Sequence, residues 1–211
     1  MINAHPVLSE VGVYQPRIHQ DARGSFAEWF KAAELEEFTG YPLDVQQANI
    51  SHSKAGVVRG LHFAAVPPGQ AKYVTCMAGR VIDVVVDVRR GSPTFGKIAF
   101  QELSAAAQTG IFVPVGFAHG FLALEDSAVC YLTSEGYNPE VEFEVSPLSI
   151  PWPETPWPVD AAAPLIYSDK DAAAPALEEC ENLPDYEECQ AYENMMRDAW
   201  AIANETAGAE D

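Results

Sequence analysis

Two short segments bring together groups that could move a proton or grip an anion. Val57–Lys72 (VVRGLHFAAVPPGQAK) supplies Arg59, His62 and Lys72, and Phe112–Phe121 (FVPVGFAHGF) supplies His119. Each histidine stands in a short apolar or aromatic run bordered by Gly and Pro, the pattern of a strand closed by turns. The whole chain has 12 Lys and Arg against 31 Asp and Glu. Two imidazoles, a guanidinium and an ammonium concentrated in two segments therefore point to a cleft for chemistry on an anionic substrate.

Strand alternation places His62 on one face with Gly60 and Ala64, small neighbours that leave room beside the ring. A neutral imidazole in such a recess can take a proton from carbon. It reads equally as a core histidine bonded to a carbonyl. Lys72 opens a strand after Gly69-Gln70-Ala71; a buried ammonium there would hold developing charge on an oxygen, or it is an ordinary strand-end lysine. Tyr131, in Val129-Cys-Tyr131-Leu-Thr133, is either a packing aromatic or a phenol that donates a proton opposite a basic histidine. Tyr137 follows in a turn, Gly136-Tyr137-Asn-Pro139, where an exposed ring could stack on a base. Asp171, in Ser168-Asp-Lys-Asp171, reads locally as a helix N-cap. Asp21–Glu28 combines a turn with a strand. If the strand continues, Arg23, Phe26 and Glu28 share a face that could read phosphate, base and ring N–H; equally they are a solvated face with a buried Phe. The Pro114-x-Gly116-x-x-His119 turn resembles the second half-motif of cupin-type jelly rolls. Zinc or iron needs three or more N/O ligands. Only His62 stands in the earlier segment, and His5, His19 and His52 fall in turn or terminal contexts, so no metal site is expected.

The elements that must carry these groups read as short strands. Val57–Phe63, Lys72–Ala78, Val81–Val88, Phe95–Leu103, Gly110–Val113, Gly120–Leu124 and Ala128–Ser134 are β-branched or aromatic runs separated by Gly/Pro turns, which indicates an antiparallel sandwich or barrel. Val81–Val88 is apolar apart from Asp83 and Asp87, as for a strand buried on both faces. A helix is predicted over Phe30–Phe38 before Gly40-Tyr-Pro42, and another around Tyr186–Ala203. Pro147–Pro164, with six prolines and with Trp152 and Trp157, is predicted to run extended over the sheets. At 211 residues, 48% hydrophobic and 20% charged, the chain suits one folded domain with an extension. No apolar run spans a membrane and no signal pattern opens the chain, which points to a cytoplasmic protein. A net charge of -19 excludes a nucleic-acid surface but not a pocket with a few local cations. From Glu178 to Asp211 eleven acidic residues stand against Arg197 alone, so the tail reads as a solvated or partly mobile segment. Cys76 and Cys130 read as small buried hydrophobes, and no cysteine spacing resembles a zinc site.

Taken in order, these segments resemble the dTDP-4-dehydrorhamnose 3,5-epimerase family. The matching motifs are D-x-R-G-x-F-x-E at Asp21–Glu28, Q-x-N at Gln47–Asn49, V-x-R-G-L-H-F at Val57–Phe63 and P-P-x-Q-A-K at Pro67–Lys72. The series continues with Asp83–Gly96, the His119 turn, Tyr131, Tyr137-Asn-Pro139, Ile150–Pro153 and Ser168–Asp171, so that the likeness runs from about Gly12 to Tyr186. The resemblance implies an all-β double-stranded β-helix (cupin-like jelly roll) over residues 1–185. Short helices would flank it; residues 186–211 read from their own pattern as an acidic helix and tail, which beyond Met195 is extra to the family and has no role implied by the resemblance. It also implies a homodimer, no cofactor and no metal. His62 would be the proton acceptor oriented by Asp171, Tyr131 the proton donor on the other face of the sugar, and Lys72 and His119 the groups at the 4-keto oxygen. Arg23 and Arg59 would meet phosphates, and Phe26 and Tyr137 thymine. Glu28, Gln47, Asn49, Glu142 and Lys170 would be further contacts, with the Arg23–Glu28 strand reaching across the dimer. Gly136 departs from the family, many members having a second tyrosine there. The activity implied is inversion at C3 and C5 of a dTDP-4-keto sugar; relatives that invert one carbon keep much of this motif set, and a non-catalytic cupin that binds a sugar nucleotide is the reading from another class.

Overall fold

Period-two alternation of apolar side chains along short strands produces two sheets packed face to face. A computed structural model describes residues 1–149 and 165–207. The first sheet has six strands in the order β1 (Ile2–Ala4), β2 (Gly12–Tyr14), β10 (Gly110–Val113), β7 (Lys72–Ala78), β12 (Ser127–Thr133) and β5 (Gln47–Ser53). The second has five: β13 (Glu142–Glu144), β6 (Val58–Ala64), β11 (Phe117–Ala123), β8 (Arg80–Asp87) and β9 (Ile98–Ser104). All ladders are antiparallel. A separate hairpin, β3 (His19–Asp21) with β4 (Gly24–Phe26), stands apart from both sheets. The helices are α1 (Ala32–Thr39), α2 (Asp169–Ala172) and α3 (Tyr186–Ala207). This is the double-stranded β-helix that the motifs imply.

The space between the sheets is filled from both sides. Val74 and Cys76 of β7, Ile111 and Val113 of β10, and Val129 of β12 meet Val81 and Val85 of β8, Ala99 and Leu103 of β9, and Phe117 and Phe121 of β11. The alternate residues point outward and are covered in turn. Tyr73 and Phe112 pack beneath Leu35 of α1 and Cys189 of α3. On the other sheet, Leu61, Phe63, Val84 and Val86 lie beneath Cys180, Leu177 and Leu183. Burying a Val or Leu on such a face contributes about 1.5–3 kcal/mol, so a sheet covered on both faces specifies its register strongly.

Several boundaries differ from the sequence reading. Phe95–Lys97 belong to the turn before β9, where the backbone N–H groups of Phe95 and Lys97 donate back to the Ser92 and Thr94 carbonyls. Five strands were not anticipated: β1, β2, β3 and β13, each three residues long, and β5, whose QANISHS pattern is mostly polar. The hairpin corrects the expected shared face of Arg23, Phe26 and Glu28. Arg23 lies in the turn, paired with Asp21, and the strand ends at Phe26, so the three do not alternate on one continuous strand. Cys76 is buried and Cys130 half-buried; all four cysteines are free thiols. The tail beyond Pro184 is helical to Ala207, with Cys189 and Glu193 buried against the barrel. Most of the proline-rich stretch, including Ile150–Pro153, Trp152 and Trp157, and the last four residues lie outside the described residues.

Candidate active site

Four interior positions carry polar groups where alternation calls for apolar ones. Lys72 precedes Val74 and Cys76 on the inward face of β7, Tyr131 follows Val129 on β12, Asp83 lies between Val81 and Val85 on β8, and His119 lies between Phe117 and Phe121 on β11. The four converge at one end of the barrel. A cleft of about 250 Å³ opens there, lined by Arg59, His62, Lys72, His119, Tyr131 and Asp171, with Ser51, Ser168 and Lys170 at its margin.

His62 reaches the cleft through a bulge. On β11, His119 faces His62 and Phe121 faces Arg59, two positions on one strand against three on the other. The extra residue changes the parity of β6, so Arg59 and His62 both stand opposite inward-facing positions. Gly60 makes this possible. Its φ is +96°, and a Cβ there would lie 2.6 Å from the His119 carbonyl oxygen and 2.8 Å from Gly120 Cα. Strict alternation, which pairs His62 with Gly60 and Ala64, does not hold at this point.

His62 Nε2 lies 2.8 Å from Asp171 Oδ1, a contact between residues 109 positions apart. Asp171 is not the helix N-cap: Ser168 is, its Oγ accepting from Asp171 N at 3.0 Å. The cap fixes the short α2, and the Asp171 carboxylate, 5% exposed, is left to face His62. Burial works to raise its pKa, but the bonds from His62 and Ser168 prevail and hold it below the ordinary carboxylate range. With Nε2 committed to Asp171, Nδ1 is the nitrogen left for chemistry; Glu142 Oε1 lies 3.9 Å from it.

A second histidine–carboxylate pair sits deeper. His119 Nε2 is 2.8 Å from Asp83 Oδ2, and Asp83 is wholly buried, its Oδ1 having no hydrogen-bond partner among the described residues. Burial raises the Asp83 pKa, and attraction to His119 and Lys72 offsets only part of that. Lys72 Nζ is 3.4 Å from the His62 carbonyl oxygen. Burial lowers its pKa to about 8 despite the nearby Glu142 and Asp83 carboxylates. The Tyr131 phenol is pushed upward by burial and by Glu142, against a smaller opposing pull from Arg59, so it stays a protonated donor.

The remaining candidates divide into three groups. Arg59 is braced by Ser53 Oγ at 2.9 Å and the His52 carbonyl at 3.1 Å, and Lys170 is paired with Glu144. Gln47, Asn49 and Tyr137 form a connected patch: Gln47 Nε2 donates to Asn49 Oδ1 at 2.7 Å and Tyr137 N donates to Gln47 Oε1 at 3.1 Å. Arg23, Phe26 and Glu28 do not line the cleft of their own chain; Arg23 and Phe26 border a separate hollow on the hairpin, and Phe26 is 66% exposed. Sequence reasoning did not select Ser51, Ser168 or Asp83. Ser51 continues the period-two series Gln47, Asn49, Ser51, and Asp83 interrupts an apolar strand, so both had a local signal. Among the described residues no group of three His, Cys, Asp or Glu could hold a metal ion.

A jelly-roll barrel whose mouth sets an imidazole–carboxylate pair, a phenol and a buried ammonium around one cleft is built for proton transfer beside a carbonyl. The chain belongs to the dTDP-4-dehydrorhamnose 3,5-epimerase family: the model of that family matches residues 6–179. A dTDP-4-dehydrorhamnose 3,5-epimerase of Mycobacterium tuberculosis is 50% identical over 190 residues, covering 86% of this chain and 92% of the relative. The solved structure of an epimerase from the same organism superposes with a TM-score of 0.86 at 44% identity, over 93% of this chain and 100% of the other. A 3'-monoepimerase from Streptomyces bikiniensis, solved in complex with dTDP-quinovose, gives a TM-score of 0.84 at 37% identity, over 92% and 98%.

Proposed function

We propose that this chain inverts C3 and C5 of dTDP-4-dehydro-6-deoxy-D-glucose to give dTDP-4-dehydro-L-rhamnose, without a cofactor. The observation that carries this reading is the placement of His62, held by Asp171, in one cleft with Tyr131 and Lys72. Carbons 3 and 5 both flank the C4 ketone, which acidifies their protons. His62 Nδ1 removes such a proton; Asp171 on Nε2 fixes the tautomer and stabilises the imidazolium. The enolate oxygen is met by the Lys72 ammonium and by His119, in a site where burial strengthens the attraction. Tyr131 returns a proton from the opposite face, and the centre is inverted.

Arg59 and Lys170 supply positive charge for the diphosphate, and Gln47, Asn49 and Tyr137 a polar and aromatic patch for the nucleoside. For Arg23, Phe26 and Glu28 we propose service in a partner's cleft. Their hairpin is exposed and leaves the barrel of its own chain, while β5 is, among the described residues, an unpaired sheet edge that a second chain could cover. The working unit is then a homodimer. Residues 1–185 form its catalytic jelly roll and residues 186–211 an acidic extension, placed in the cytoplasm with the sugar-nucleotide pool. Among the described residues no helix is long and apolar enough to cross a membrane.

Incubation with the sugar nucleotide in D2O, read by NMR, tests the reading. Deuterium at C3 and C5 is expected. Deuterium at one carbon would make this a mono-epimerase, as the Streptomyces bikiniensis structure is described, and binding with no exchange would leave a sugar-nucleotide-binding cupin. His62→Ala is expected to lose nearly all turnover.

A further inference from the structure

An enzyme that inverts two centres with one base has to use that base twice. This inference rests on the double inversion proposed above. Each abstraction leaves His62 as an imidazolium and Tyr131 short of a proton, and neither acts again until it is reset. Asp171 is a poor recipient. It bonds Nε2 rather than the nitrogen that took the proton, it is itself buried on α2, and its own bonds favour the carboxylate form. Nδ1 instead faces Glu142 Oε1 at 3.9 Å. That distance is closed by a rotation of the Glu142 side chain or by one water.

Glu142 is placed for this exchange. It lies on β13, the outermost strand of its sheet, opposite Ala64 of β6, and its side chain is 16% exposed. Its charge acts on Tyr131, on Lys72 and on Lys170, so it borders the acid as well as the base. Glu144, two residues along, is committed to Lys170.

We propose that Glu142 is the proton exit of the site. The proton leaves carbon for Nδ1, the N–H bond then breaks as the proton passes to the Glu142 carboxylate, and from there it passes to water. Water in turn re-protonates the Tyr131 phenolate, so that both groups are restored before the second centre reacts.

Glu142→Gln keeps the shape and the polar contacts and removes the proton acceptor. With enzyme in excess in D2O, the first centre needs no reset, so its rate in the variant takes up any change in binding or in the charges of Lys72 and Tyr131 and serves as the reference. The second should slow further, by at least about 100-fold, the lower end for losing a positioned proton-transfer group. Added imidazole buffer should restore the second rate in the variant and leave the unsubstituted enzyme unchanged. Glu144→Gln should show no such buffer dependence. Equal slowing of both centres without buffer dependence, or a loss confined to KM, would reduce Glu142 to a substrate contact and overturn the proposal. Should Glu142→Gln not fold, Glu142→Asp, which withdraws the carboxylate by one methylene, is read by the same two rates. Absence of exchange in the unsubstituted enzyme would instead remove the double inversion, a separate failure.

Discussion

Lys72 must be charged to hold an enolate oxygen, and burial makes that charge hard to keep. Its pKa, lowered to about 8 by desolvation, sets the direction of the pH response. The ammonium is present below that value and lost above it, so kcat/KM should fall as pH rises through about 8. Lys72→Arg, whose guanidinium stays protonated to above about pH 12, should lack this alkaline limb whatever activity it keeps; a fall at the same pH in the variant would assign the limb elsewhere. His62, Lys72, His119 and Tyr131 were legible in the sequence because each breaks an apolar alternation inside a run closed by Gly or Pro. Asp171 was not legible as a partner of His62 without the family resemblance. Its only local signal was a capping pattern, and that belongs to Ser168; a contact across 109 positions leaves no periodicity to read. Asp83 was visible as an exception in β8, but its pairing with His119 depends on which strands become neighbours.

At the scale of the element, the bulge in β6 decides whether the site exists. Gly60→Ala would drive a methyl group against the His119 carbonyl and Gly120 at a positive φ. It should destabilise the fold by about 1–3 kcal/mol and, by undoing the shared face of Arg59 and His62, cut turnover more than that loss alone explains; urea denaturation and rate measurement together separate the two. Arg89 does equivalent service for packing. It is fully buried, bonds Asp87 through Nε at 2.9 Å and Glu10 through Nη1 at 2.8 Å, and lies 4.0 Å from the Phe117 ring centroid. Arg89→Met leaves two carboxylates without their cation, and a loss of about 3–5 kcal/mol is expected in denaturation. The long strands were readable from their β-branched runs. Three-residue strands are too short to show a period, and β5 was missed because an edge strand with polar alternate residues resembles a loop until a partner strand is known.

For the molecule as a whole, the exposed hairpin raises the question of which cleft it serves. If it serves the partner's, two defective chains should repair each other. A chain carrying His62→Ala keeps a good hairpin, and a chain carrying Arg23→Ala and Phe26→Ala keeps a good cleft. Mixed after unfolding and refolding together, they should recover activity that neither has alone, up to about one site per mixed dimer. Recovery no greater than the sum of the separate chains would place the hairpin in its own cleft or out of the site. The charge balance of -19 gave no hint of this arrangement, because a pocket field is set by the few cations that line it.

The desolvated ammonium at the barrel mouth also sets a limit on heat resistance. A cation held well below its ordinary pKa opposes folding at neutral pH, here on the order of 3 kcal/mol, and that penalty fades only in alkali. Lys72→Met should therefore melt at a higher temperature than the parent at pH 7 while turning over almost nothing. Selection for thermostability alone would drift toward this inert protein.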